Sequence, residues 1–250
     1  MTDRRTLQEN GAALRRQLIG ETERPLPQGF AALMDEVVYG GIWDRPGLPR
    51  PDRAICTIAA LSAHERLVPL RREIGVGLDL GLTPAAVAET IVQTGLYTGF
   101  AAVAGCYAVA AEVFAARGLP EPEEAPDARS LEDLSDDGAN LMARLHGDRA
   151  RQGYAAPDNP VTGALYPAAI RYGYGVLWFR PGLDTRRRAL VAVAAFTALR
   201  MEGQVRKFGQ SAINAGLTRE EVVEAVIQTA PYSGFPGALN ALAGLSEVLG

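Results

Sequence analysis

The sequence predicts an all-α fold built from two copies of one helical unit, and three observations carry that prediction. Apolar residues recur at helical spacing along the chain, with no convincing period-two strand. YGGIWDRPGL from Tyr39 returns as YGVLWFRPGL from Tyr174, and GLTPAAVAETIVQTGLYTGF from Gly81 returns as GLTREEVVEAVIQTAPYSGF from Gly216. Both pairs lie 135 positions apart, so about 75 residues align without a gap, roughly a third of them identical.

Each segment has a local reason. GAALRRQLIGE from Gly11 resembles GANLMARLHGD from Gly138, after which the second copy carries a longer, Pro-containing connection. The runs Ala54 to Leu61 and Ala189 to Leu199 are apolar nearly all round, as expected of helices at the centre of a bundle. Gly81 and Gly216 provide helix stops, because glycine takes the left-handed conformation at little cost. Helix starts follow at once: Thr83 precedes Pro84 at a first helical position, and Thr218 with Glu221 forms a capping box. Between the copies, RGLPEPEEAPDARS is rich in Pro and acid with no apolar period, as an exposed linker requires. The expected organisation is a first unit over residues 1–116, a linker over 117–130 and a second unit over 131–250.

Composition narrows the function classes. The chain has 250 residues, of which 48% are hydrophobic and 22% charged, the balance of an ordinary globular protein. A net charge of -4 gives no basis for nucleic-acid binding, which favours clustered basic surface. The polar start MTDRRTLQEN and the absence of an apolar run of about 20 residues predict a cytoplasmic protein with no membrane anchor. Cys56 and Cys106 have no partner at CxxC spacing and sit in alanine-rich contexts, where a free cysteine acts as a small buried hydrophobe. The two histidines, His64 and His146, cannot build a metal site alone, and no Gly-rich phosphate loop follows a strand, so no cofactor is expected.

WDRPGL and WFRPGL before a buried Arg-Ala helix, then GLT, a glutamate eight residues after the glycine, and QTxxYxGF resemble the carboxymuconolactone decarboxylase family, in the superfamily of the AhpD-like alkylhydroperoxidases. The match covers nearly the whole chain, twice. The resemblance implies an all-helical unit that assembles into rings; six subunits form a hexamer in single-unit relatives, so a tandem chain is expected to form the same ring as a homotrimer. It also implies chemistry that this sequence lacks. The CxxCxxxH motif of the peroxidases falls on Arg66, Pro69 and Glu73 in the first copy and on Met201, Gln204 and Phe208 in the second, which speaks against peroxidase activity. The histidine proposed for proton transfer in the decarboxylases is missing at the same places, and the acid often found after the arginine of the buried helix is Ala54 and Ala189.

Decarboxylation, isomerisation or lactone ring opening and closing needs a cation for a carboxylate, a donor for an enolate oxygen and a positioned acid or base. Arg45 and Arg180, kept in both RPGL segments, are candidates for holding a carboxylate, since the guanidinium fork matches it in two-point geometry; a structural pairing is the alternative. Arg53 and Arg188 are expected to pair with a structural acid such as Glu89 or Glu224. Glu73 stands at the histidine position. Apolar neighbours would raise its proton affinity, adjacent Arg71 and Arg72 would lower it, and a solvated helix face is the competing reading. At most one of the two arginines is expected to share its face.

Tyr97 and Tyr232 are candidate donors to an oxyanion, or else are packed with the hydroxyl on a carbonyl. Trp43 and Trp178 either wall a pocket or fill the core. His64 is a further catalytic candidate, while His146 reads as a surface-helix residue. Glu73, His64 and Tyr97 are thus the catalytic set, with Arg45, Arg71, Arg180, Trp43, Trp178 and Tyr232 around a small acidic or lactone-like molecule. Loss of the usual residues suits a recruited biosynthetic enzyme, and a non-catalytic small-molecule-binding or scaffold member is the alternative. An ordered pocket holding Glu73 and Arg45 distinguishes the enzyme from a scaffold with a collapsed apolar centre.

Overall fold

The computed structural model describes residues 3–20, 26–123, 127–152 and 159–250. The middle of the expected linker, residues 124–126, and part of the long connection in the second copy, residues 153–158, lie outside the described residues. Among the described residues every regular element is helical. The first copy runs α1 (Arg4–Ile19), α2 (Phe30–Met34), a π-helix (Asp35–Trp43), α3 (Arg50–Ala63), α4 (Leu67–Asp79), α5 (Pro84–Thr98) and α6 (Phe100–Ala116). The second repeats the order: α7 (Leu131–His146), α8 (Tyr166–Ala168), a π-helix (Ala169–Tyr174), α9 (Thr185–Ala198), α10 (Glu202–Asn214), α11 (Arg219–Ser233) and α12 (Phe235–Leu249).

The capping chemistry acts where the sequence places it. The Thr83 hydroxyl accepts from the Ala86 amide to open α5, and Thr218 and Glu221 exchange bonds to open α11. Gly81 and Gly216 end the preceding helices at φ of 94° and 100°, a region costly for any residue with a Cβ.

At the centre, α3 packs on α9, α11 packs on α3, and α5 packs on α9, so the two copies share one apolar core. Ala54 to Leu61 and Ala189 to Ala195 are almost wholly removed from solvent, as their nearly unbroken apolar character requires. Cys56 and Cys106 are buried free thiols within that core.

The two π-helices lie against the first helix of each copy, and glycine permits the approach. A Cβ on Gly11 of α1 would meet the Asp35 carbonyl oxygen at 1.8 Å, and one on Gly138 of α7 would meet the Ile170 oxygen at 2.4 Å. Both distances are impossible without backbone movement. The shared glycine of GAALRR and GANLMAR is therefore a packing requirement. Gly11→Ala is expected to cost about 3 kcal/mol or more by overpacking, read as a lowered midpoint in urea unfolding.

Candidate functional site

Two cavities occupy quasi-equivalent places, each bounded by a π-helix, by the helix after the buried one and by a tyrosine from the other copy. The first, of about 180 Å³, is lined by Met34, Val38, Tyr39, Leu61, Arg66, Pro69, Arg72, Pro231 and Tyr232. At the positions of Tyr39, Leu61, Arg66, Pro69, Arg72, Pro231 and Tyr232, the second places Tyr174, Phe196, Met201, Gln204, Lys207, Leu96 and Tyr97. Its volume is about 610 Å³. The π-helices matter here because they present Tyr39 and Tyr174; a widened turn of this kind often marks a functional position.

Glu73 projects from the middle of α4 into the protein and is only 2% exposed, so the solvated-face reading is corrected. The 3.6-residue period explains the difference: Glu73 shares a face with Leu70, Ile74 and Val76 neighbours in the core, whereas Arg71 turns outward to pair with exposed Glu112. Arg72 is the cation that Glu73 receives, its Nε and Nη2 donating to Oε1 at 3.0 and 2.7 Å. Burial raises the Glu73 carboxyl above the ordinary carboxylate value, against the opposing pull of Arg72. Tyr39 and Tyr232 both feel the Glu73 charge, and burial with that charge pushes the Tyr39 hydroxyl up to about 12. Trp43 Nε1 donates to the Tyr232 hydroxyl at 2.7 Å, fixing the tyrosine that the second copy inserts into the first cavity.

Tyr97 does not join Glu73. It lines the second cavity, where Gln93 Nε2 donates to its hydroxyl at 3.1 Å and Trp178 supplies a further hydrogen bond. Trp178 stacks on Tyr174 with ring centroids 5.7 Å apart. His64 caps the end of α3, is not among the residues lining either cavity, and has its pKa lowered by burial and by Arg66. His146 departs from the surface reading. Its ring lies between the Ser211 hydroxyl (2.7 Å from Nδ1) and the Tyr174 hydroxyl (3.0 Å from Nε2), and burial with the Arg149 cation lowers its pKa to about 4.

Neither Arg45 nor Arg180 lines the first or the second cavity, and Arg180 instead lines a further cavity of about 490 Å³ together with Glu89. Arg45 makes a forked pair with Glu224, Nη2 to Oε1 at 2.6 Å, and Arg180 Nε donates to Glu89 at 2.9 Å. Arg53 and Arg188 meet the same acids from inside the core: Arg53 Nη2 donates to Glu224 at 2.8 Å and Arg188 Nη2 to Glu89 at 2.9 Å. Each pairing crosses from one copy to the other, a feature invisible in either repeat alone. Arg72 and Tyr39 were legible only as a neighbour of Glu73 and as the first letter of a repeated motif.

The sequence profile described as the carboxymuconolactone decarboxylase family matches residues 28–112 and 163–247. A 4-carboxymuconolactone decarboxylase of Acinetobacter baylyi is 33% identical over 78 residues, 31% of this chain and 58% of that relative. The chain therefore spans less than two thirds of that relative's length. Nitrosuccinic acid decarboxylase npaB of Metarhizium robertsii is 27% identical over 109 residues, 44% of this chain and 76% of that relative. The two profile matches, offset like the repeat and together covering more than half of the sequence, make this chain a member of the carboxymuconolactone decarboxylase family.

Proposed function

We propose that the chain is a cofactor-free, decarboxylase-like enzyme acting on a small organic acid or lactone in the first cavity. The observation that carries this reading is a buried carboxyl, Glu73, whose proton affinity burial raises, at the place where the family resemblance expects a histidine, hydrogen-bonded to Arg72 and within electrostatic reach of Tyr39 and Tyr232. In the proposed reaction the bond between the substrate carbon and its carboxylate breaks, CO₂ leaves, and the electron pair passes to a conjugated oxygen. The Arg72 cation and the tyrosine hydroxyls stabilise that oxygen. Protonated Glu73 then delivers its proton to carbon and is reprotonated from solvent. Met34, Val38, Leu61 and Pro231 give the leaving carboxylate an apolar wall, which favours loss of its charge. Related proton shifts, isomerisation or lactone ring opening and closing, draw on the same groups.

The two relatives are named as decarboxylases of 4-carboxymuconolactone and of nitrosuccinic acid, both small acids. A cavity of about 180 Å³ accords with molecules of that size. An ordered pocket holding both Glu73 and Arg45 is not what the first cavity offers: neither lines it, and the reading rests on Arg72 in its lining with Glu73 hydrogen-bonded to that arginine. The test is CO₂ release from a panel of small acids bearing a β-keto, β-nitro or vinylogous carbonyl group. The reading expects release from at least one of them, and a silent panel with intact folding counts against it.

Residues 1–116 and 131–250 are proposed as the two units, joined by 117–130, and a trimer as the working assembly. Phe100 and Phe235, which open α6 and α12 at equivalent places, are 63% and 47% exposed in the single chain. Apolar side chains repeated at equivalent surface places suit a ring with quasi-equivalent contacts. Light scattering is expected to give a mass near three chains, and a clean monomer contradicts it. No helix among the described residues is long and apolar enough to cross a membrane.

A further inference from the structure

The repeated tryptophans and the repeated tyrosines form one device that crosses between the copies. Trp43 ends the first π-helix and Tyr232 stands in the last turn of α11, 189 positions later, yet the Trp43 indole donates to the Tyr232 hydroxyl at 2.7 Å. Trp178 and Tyr97 share a hydrogen bond at the equivalent places. Direction matters here more than distance. An indole N–H can only donate, so the Tyr232 oxygen is the acceptor and the tyrosine's own O–H points away from Trp43. Tyr232 lines the first cavity together with Tyr39 and Arg72, and its hydroxyl lies within electrostatic reach of both and of Glu73. Trp43 is buried in the shared core, whose close packing keeps the indole from swinging aside.

We infer that Tyr232 is the hydrogen-bond donor to the substrate oxygen that gathers charge in the first cavity, and that Trp43 is the positioning residue that aims it. The inference rests on the decarboxylase-like reading of that cavity, and it gives the second copy a part in the chemistry of the first. Three features carry it. Burial and then Glu73 push the Tyr232 hydroxyl well above its ordinary value, so the tyrosine keeps its proton at neutral pH and donates a hydrogen bond without transferring it. The Trp43 N–H, bonded to the same oxygen, polarises the O–H, because hydrogen bonds linked in a chain strengthen one another. Both side chains are packed before a substrate arrives, and a donor fixed in advance favours the developing anion over the neutral carbonyl. The substrate class follows: an acid whose departing carboxylate is conjugated to a ketone, lactone or nitro oxygen that accepts from Tyr232.

Tetronate, the stable enolate anion of a small lactone, is the probe, titrated by calorimetry into the whole protein with no turnover involved. The parent is expected to bind it saturably, and Tyr232→Phe, which keeps the ring and removes only the hydroxyl, to weaken it about tenfold or more. Trp43→Phe is expected to weaken it as well, but to add nothing beyond about twofold in the Tyr232→Phe background, because Trp43 acts through that hydroxyl. A purely structural tryptophan would weaken both backgrounds alike. The Trp43 indole N–H resonance needs no change at position 43: it moves when tetronate is added to the parent and stays still in Tyr232→Phe. The inference is overturned by no saturable binding to the parent up to millimolar tetronate, by equal affinity in Tyr232→Phe, by a loss in Tyr97→Phe instead, or by a Trp43 resonance that tetronate leaves unmoved. CO₂ release is measured separately. A silent acid panel with hydroxyl-dependent tetronate binding removes the reaction and keeps the donor, whereas turnover with binding indifferent to Tyr232 keeps the reaction and removes the donor.

Discussion

Glu73→Gln is expected to lower turnover by a factor on the order of 10² to 10⁴, the usual contribution of a positioned acid or base, while the protein stays folded. Glutamine keeps the shape and an oxygen for Arg72 but has no proton to deliver to carbon. Arg72 is 42% exposed at its side chain, so solvent takes over the charge that loses its partner. The stability side has a definite sign. Burial raises the Glu73 pKa in the folded protein, so its contribution to stability is full below the unfolded value of 4.5 and is lost as pH rises through the folded value. At neutral pH the variant is therefore expected to be as stable as the parent or more so. Loss of turnover without loss of stability identifies a chemical role; loss of both identifies a packing role.

Glu224→Ala has the largest expected effect on stability, about 3–5 kcal/mol, because it strands a buried charge. Arg53 is wholly buried and gives Nη2 to Glu224, while Arg45 forks onto the same carboxylate from the solvent side. Burial pushes the Glu224 carboxyl up, yet the Arg45 and Arg53 guanidiniums together hold it below its ordinary value. Its stabilising contribution is accordingly present above pH 4.5 and is lost on acidification through the lower folded pKa. Replacing both partners, Arg53→Met with Glu224→Leu, is expected to recover much of the loss, since neither charge then remains in the core. Urea midpoints of the single and double variants check this, and a double variant no better than the single contradicts it.

The repeat, the caps and the buried helices were legible in the sequence because each is a local pattern: a period, a Thr-x-x-Glu pair, a glycine stop. The structural role of Arg53 and Arg188 was legible as well, since a charge inside an apolar helix must find an acid. Glu89 and Glu224 were legible as the acids, but which arginine meets which was not. The pairs Arg53 with Glu224 and Arg188 with Glu89 cross between copies, and pairing over 171 and 99 positions leaves no local trace. Arg45 and Arg180 were read as ligand-holding forks because their neighbourhood repeats, and in the structure each fork is engaged by an acid of the other copy, the structural pairing that was the alternative. The exchange of Tyr97 and Tyr232 between cavities has the same origin. His146 was misread because α7 is amphipathic and the histidine sits in its last turn; the Ser211 and Tyr174 hydroxyls that enclose it come from elements 65 and 28 positions away. The π-helices have no sequence signature of comparable clarity, so Tyr39 had no assigned place.

The central claim is that Glu73 delivers the proton, and the pH profile of kcat/KM tests it most directly on whichever acid of the panel releases CO₂. Because the reacting form is the protonated acid, the rate is expected to fall as pH rises through an apparent pKa above 4.5, the ordinary glutamate value. In Glu73→Gln that limb is expected to vanish, leaving a low and flat residual rate. An unchanged limb and an unchanged rate in the variant would remove Glu73 from the chemistry and contradict the account.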